Sequence, residues 1–321
     1  MNGTVVGVLR GGPSVEHDVS LATGKTIIAN LSPEQFTVRD IYINKDGVWH
    51  ERGRIVTPAD TLRTLDVAVI GLQGGYGDDG EAQKLLERAG VPYTGSDPLG
   101  SFTAMHKLLS KERARELGIR TPDYRYIESL ETMDPILHEV VRTFMQPVIV
   151  KPVRWGSSIG ISLVSGFTAL HNAVAELLKS GAEGVLIEEY IRGREASVGL
   201  VENIRGESLY ALPPLETLVP PGAGFYTYEA KYSPDTVEEC PSHFPKKVQD
   251  ELIATARKMH EALGLRHYSR SDFIVTPRGI YYLETNSLPA IEEDSSYVRA
   301  LNAVGISLPD FLSHLIGLAL T

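Results

Sequence analysis

The chain has only one cysteine, Cys240, in 321 residues. That excludes an intrachain disulfide and fits a reducing compartment, with Cys240 as a passive thiol. No run approaches the roughly 20 apolar residues that a membrane span needs. Thr4–Leu9, the first apolar run, is too short for a secretory signal and opens directly onto a glycine pair. The expectation is a cytoplasmic protein with no membrane partner. A basic excess is missing too: 31 Lys and Arg face 41 Asp and Glu, a net charge of −10. Binding a nucleic-acid backbone needs a basic surface, so nucleic acid is excluded as a partner. A small anion held by a few local lysines is not. Internal repeats and low-complexity tails are absent. What remains is 42% apolar and 22% charged residues, the balance of a globular protein long enough for two or three domains.

Strand-like apolar runs alternate with helix-like stretches in the first third. Thr4–Leu9, Thr37–Ile43 and Val67–Leu72 read as strands, and Val19–Leu31 and Ala82–Ala89 as helices. That alternation predicts a parallel α/β domain, whose post-strand glycines (Gly11-Gly12 and those after Leu72) sit where such sheets bind ligands. Gly95–Pro98 marks a boundary. Phe102–Leu117 reads as one basic helix, Pro147–Val150 and Ile161–Val164 as strands, and Thr168–Leu178 as a helix. Val185–Tyr190 reads as a strand opening the last domain. The division is 1–97, 98–184 and 185–321. Pro213–Pro245 has little periodicity and many Pro, Gly and Tyr, the composition of a binding loop or lid. Lys246–Leu263 is predicted as a helix.

Tyr268–Val275 and Ile280–Asn286 read as an antiparallel hairpin centred near Arg278. That register sets Asp272 opposite Glu284 and Arg270 opposite Asn286, all on one face, with Phe273, Tyr281 and Leu283 on the core face. Opposed carboxylates repel, and a bound cation removes the penalty. Two carboxylates and an amide oxygen are hard ligands suited to Mg²⁺ with phosphates completing its shell. The competing reading is a solvated charged face. Lys151–Gly160 (KPVRWGSSIG) joins two strands. Its glycines permit tight turns, its backbone N–H groups and Ser157 and Ser158 can surround phosphate oxygens, and Lys151 adds charge. Lys231, in the long irregular stretch, adds charge from above.

Taken in order, these motifs resemble the ATP-grasp enzymes, and within them the D-alanine–D-alanine ligase family, over nearly the whole chain. The resemblance rests on Gly11–Ser20 (GGPSVEHDVS), Gly77–Gly80 (GDDG) with Gln83, Val150–Pro152 with Gly156–Gly160, Tyr228–Tyr232 (YEAKY), Arg270–Asp272 and Glu284–Asn286. It implies a three-domain architecture with a Rossmann-like N-terminal domain. It also implies amide-bond formation through an acyl phosphate, with ATP as co-substrate and two Mg²⁺ ions, replaceable by Mn²⁺. Lys107, Lys151, Ser158 and Lys231 would hold phosphates. Glu188, Glu189, Tyr190 and Ile191 would line the adenine pocket, and Glu195 would bind the ribose. Asp272, Glu284 and Asn286 would hold the metal, and Arg270 would stabilise developing negative charge. Glu16, tied to Ser157 and Tyr232, would accept the ammonium of the first amino acid. Ala290, Ser295 and Ser296 would serve the second. The implied substrates are D-alanine or another amino acid, and the implied assembly is a homodimer.

Three departures from the family pattern stand out. Gln73 replaces a histidine, and Trp155 a glutamate. Ser287–Ser296 reads SLPAIEEDSS, with Ala290 for a glycine and the acidic run Glu292-Glu293-Asp294 where a carboxylate should dock. Two alternatives therefore stay open beside D-alanyl-D-alanine synthesis: an ATP-grasp ligase with another amine acceptor, and a nucleotide-binding regulator without turnover.

Overall fold

The computed structural model describes residues 3–218 and 236–321. The apolar runs of the first third form the expected parallel sheet. Thr4–Gly11 lies between Phe36–Ile43 and Val67–Ile70, parallel to both, and two short strands, Trp49–Glu51 and Arg54–Ile55, extend one edge. Residues such as Val6, Val8, Leu9, Ile41 and Ile43 are buried, as strands covered on both faces require. The last two helices, Ser296–Ala303 and Leu308–Ala319, close the same core with Tyr297, Phe311, Leu312 and Leu315, so both ends of the chain share it. Among the described residues no single helix is long and apolar enough to cross a membrane.

A second, antiparallel sheet has the order Tyr124–Ile127, Val185–Glu189, Val148–Pro152, Ser162–Val164, backed by the helices Met133–Thr143 and Phe167–Lys179. Val185–Glu189 is thus an inner strand here and does not open the next unit. The chain leaves this sheet only after Glu189. A third sheet is built on the long strand Arg194–Ile204, which pairs with Glu207–Ala211, Leu215–Leu218 and Tyr268–Thr276. Gly279–Asn286 adds to Tyr268–Thr276, and helix Lys246–Ala262 covers the sheet with Leu252, Ala256 and Met259. The stretch read as irregular begins and ends in strands: Leu215–Leu218 pairs with Val237–Glu239. Lys231 and Tyr232 lie outside the described residues.

Two expectations change in ways that shape the site. Phe102–Leu117 is not one helix. It breaks at His106, whose extended ψ of 95° ends Pro98–Met105 and whose ring nitrogen caps Lys107–Glu116 through Leu109 N. The break makes Lys107 the first residue of the second helix. The hairpin pairs Asp272 with Glu284 and Arg270 with Asn286 as expected, but a bulge follows, and Phe273 pairs with Tyr282. The extra residue moves Tyr282 to the core beside Phe273, whereas Leu283 faces the cavity together with Glu284. Tyr281 and Leu283 therefore do not share Phe273's face, and Arg120 stacks over the Tyr281 ring.

Candidate active site

The second and third sheets face each other across a cavity of about 820 Å³, whose far end reaches the glycine turns of the first sheet. Every sequence-expected site residue within the described part of the chain lines it. Ile149, Lys151 and Glu188–Ile191 come from the second sheet and its exit. Glu195, Arg270, Asp272, Ile274 and Leu283–Asn286 come from the third.

The cationic side is already paired. Glu188 is buried, and one of its oxygens lies 2.9 Å from Lys151 Nζ and 3.0 Å from Lys111 Nζ. Burial opposes the Glu188 charge, but the two lysines outweigh it and hold the carboxyl below its ordinary value. Lys111, fully buried and bonded to Thr121, is lowered to about 8 by burial, against the pull of Glu188. The Glu188 side chain is therefore committed to lysines, and its backbone to the strands on either side. Lys107 donates to the Trp155 carbonyl at 2.7 Å and lies 3.3 Å from Glu284. Burial opposes the Glu284 charge too, yet Lys107 and Lys151 bring it down to about 2.

The Gly156–Gly160 loop is held in an unusual backbone. Ser157 and Ser158 have φ of +49° and +57°, a region that residues with a Cβ seldom adopt. Consecutive residues of this kind turn backbone N–H groups into one concavity.

Arg270 grips both oxygens of Asp272 at 2.8 Å. Each of the opposed carboxylates thus has its own cation, and the mutual repulsion expected from the pairing is already relieved without a metal. Among the described residues no three His, Cys, Asp or Glu side chains converge into a metal cluster. Asn286 Oδ1 accepts from Leu288 N at 2.9 Å, which starts the turn toward Ala290.

At the first sheet's end, Glu16 is buried and receives the Ser157 hydroxyl. A Cβ on Gly74 or Gly156 would stand 2.5 or 2.6 Å from Glu16 Oε2, so a side chain at either position would push the Glu16 carboxylate aside. Glu292, half-buried, and Asp294, exposed, both line the cavity mouth, whereas Glu293 is exposed and does not. Ser295 caps the helix Ser296–Ala303, whose N-terminus opens into the cavity, with Arg299 one turn on and 3.9 Å from Asp294.

Three residues escaped the reading of the sequence: Lys111, Asp78 and, as a structural link, Gln73. Gln73 is buried and donates from Nε2 to the Leu288 carbonyl at 3.2 Å. It thereby ties the Glu16 end of the cavity to the Ala290 loop, 215 residues away in sequence. Lys111 lies four residues after Lys107 on a helix, a spacing that places both on one side, and this was the available signal.

Comparison with known proteins agrees along the chain. The family model "D-ala D-ala ligase N-terminus" matches residues 5–58, and "D-ala D-ala ligase C-terminus" matches residues 114–317. A curated D-alanine–D-alanine ligase from Geobacter sulfurreducens is 36% identical over 316 residues, covering 98% of this chain and 93% of that one. Among solved structures, the VanG D-Ala:D-Ser ligase from Enterococcus faecalis has a TM-score of 0.86 at 26% identity, over 99% of this chain and 100% of that one. The Bacillus anthracis D-alanine–D-alanine ligase complexed with ATP has a TM-score of 0.81 at 29% identity, over 100% and 98%.

Proposed function

The chain belongs to the D-alanine–D-alanine ligase family, and we propose that it joins two D-alanine molecules at the expense of ATP, a step of peptidoglycan precursor synthesis. One observation carries this reading: a single cavity holds an acid-and-serine receptor at one end, a lysine cluster at the other and Arg270 between them. The first D-alanine places its ammonium at Glu16 and its carboxylate toward Arg270. That carboxylate attacks the γ-phosphate, giving an acyl phosphate and ADP. The amine of the second D-alanine then attacks the acyl carbon and phosphate leaves. Arg270, fixed by Asp272, stabilises the negative charge that develops on the acyl oxygen. Lys107, Lys151 and the Ser157–Ser158 backbone hold phosphates; Lys231, which the family likeness adds to this set, lies outside the described residues.

ATP is read as lying between the second and third sheets, with the base against Glu188–Ile191 and the ribose at Glu195. The corresponding division of the chain runs near Asp97 and after Glu189. Mg²⁺ fits the hairpin, because Glu284 is held ionised and Asp272 and Asn286 add oxygens on the same face. When bound, the ions would neutralise phosphate charge. Mn²⁺ is the expected substitute. A homodimer follows from the family likeness, and sedimentation would test it.

The helix N-terminus at Ser295–Ser296 favours a carboxylate there, since the first turn of a helix carries partial positive charge. Of the acidic run only Glu293 stands clear of the cavity, and Arg299 lies against Asp294; with the family likeness this supports D-alanine as the acceptor over a cationic amine. Phosphate release with D-alanine alone, against a panel of other amino acids, tests the proposal. Release that requires a different amine would overturn it.

A further inference from the structure

Of the three lysines at the phosphate end, Lys107 and Lys151 line the cavity and Lys111 does not. Lys111 sits on the helix Lys107–Glu116 with its side chain completely buried, and it donates to Thr121 Oγ1 at 2.8 Å. Glu188 lies between the two sides. Its Oε1 stands 2.9 Å from Lys151 Nζ and 3.0 Å from Lys111 Nζ, so one oxygen is shared by both ammonium groups. The carboxylate thus has one lysine in front of it, toward the cavity, and one behind it, in the protein. A single lysine would neutralise Glu188, and burying a second ammonium is costly. The second one therefore calls for a reason. Lys111 keeps its proton at neutral pH, because Glu188 opposes the burial that lowers it to about 8. Glu188 cannot follow a departing lysine, since its backbone is paired with Tyr124 on one side and Ile149 on the other. Lys151 can leave: its ammonium rides on a flexible four-carbon stem.

We propose that Lys111 is a positioning residue for nucleotide binding: it is the resident counter-ion of Glu188, and by staying there it frees Lys151 to carry its charge from Glu188 to a nucleotide phosphate. The inference rests on the phosphate-holding role given to Lys151 above. Without Lys111, every move of Lys151 toward phosphate would strand a buried carboxylate with no cation. With it, the pair left behind is neutral and the charge that moves is the surplus one.

The experiment compares substrates in two variants. Lys111→Met keeps the length of the side chain and removes its charge. The KM for ATP should rise by about 100-fold or more, the scale of leaving a buried charge without its partner, while the KM for D-alanine changes by no more than about 3-fold. Lys111→Met/Glu188→Gln removes the anion as well, so Lys151 has no charge to abandon, and the KM for ATP should return to within about 10-fold of wild type. A purely structural ion pair predicts a lower melting temperature and a lower kcat, with the KM for ATP unmoved. A KM for ATP in Lys111→Met within about 3-fold of wild type would overturn the proposal, and so would a double variant no better than the single one. A crystal structure of the wild type with a non-hydrolysable ATP analogue and Mg²⁺ decides even if Lys111→Met fails to fold. Lys151 Nζ should lie on a phosphate oxygen with Lys111 Nζ still on Glu188; a Lys111 drawn off Glu188, or a Lys151 that stays on it, would sink the idea. A wild type that bound no ATP analogue would instead remove the ligase reading itself.

Discussion

The two ends of the cavity handle buried charge in opposite ways. At the phosphate end Lys107, Lys111 and Lys151 each face Glu188 or Glu284, so the apo site is a closed network of ion pairs. At the other end Glu16 and Asp78 lean on hydroxyl and backbone groups and form no ion pair among the described residues. The first arrangement is stable empty, and a polyanion entering it must share lysines that already have partners. On the proposed function, the nucleotide would bind by redistributing charge within a network, and the amino acid by bringing a charge of its own.

Breaking the phosphate end should have the largest effects. Glu284→Gln should cut turnover by about a thousand-fold or more, on the scale of losing a charge that organises phosphoryl transfer. It should not stabilise the apo protein, because Lys107 and Lys151 lose the carboxylate that faces them. Steady-state rates and a thermal melt check both halves, and wild-type turnover would remove Glu284 from the machinery. Glu188→Gln leaves Lys111 and Lys151 buried against a neutral amide. It should destabilise the fold by about 3–5 kcal/mol in denaturant titrations, the usual result of breaking a buried pair by one partner.

A smaller effect comes from the joint behind the amino-acid end. His267 Nδ1 accepts from Gly95 N at 3.0 Å, which requires an unprotonated nitrogen. Burial lowers His267 to about 4, with Arg266, His314 and His260 adding to it and Glu202 opposing. The unfolded chain therefore takes up a proton that the folded chain refuses. Stability should fall as pH drops from about 6.5 to about 4 and level off below, by roughly 1.4 kcal/mol per unit at most. His267→Asn offers an acceptor oxygen and tolerates the φ of +66°, so it should flatten that limb of the pH–stability curve.

The smallest effect separates the two ends. Gln73→Leu removes the tether to Leu288 and should raise the KM for the second D-alanine by about 3- to 10-fold, the scale of one neutral hydrogen bond, with less change in the first. Gln73→His should recover part of it through a ring N–H. Equal losses at both substrate sites would mean that the two ends do not move apart in this variant.

Much of this was legible in the sequence, for reasons that differ by residue. Asp272, Glu284, Arg270 and Asn286 could be paired because strands alternate with period two and both strands had an apolar side. Ser157–Ser158 alone read as an ordinary hairpin turn; Lys151 at the end of the preceding strand is what singled the loop out. The helix break was not, since nothing in the composition of Phe102–Leu117 marks His106 as extended. It follows from tertiary contacts, among them Lys107 N to the Val153 carbonyl. Asp78 and Lys111 were missed as site residues because a charge reads as solvent-exposed until the structure shows what encloses it. The commitment of Glu188 to two lysines was hidden for the same reason.

The bulge in the hairpin has one more consequence. At the turn Thr276 pairs with Gly279, and continuing that pairing without interruption would set Asp272 against Leu283 and Ser271 against Glu284. The acids would then lie on opposite faces, one in the cavity and one in the core. Leu283 is the single tooth by which the strand slips between the register its turn dictates and the register its acids need. The hairpin therefore runs on two clocks: the short turn sets one, the carboxylates keep the other, and a lone leucine holds the offset. Loss of that residue, or gain of one anywhere between the turn and Glu284, would leave every functional side chain in the sequence and still dismantle the constellation.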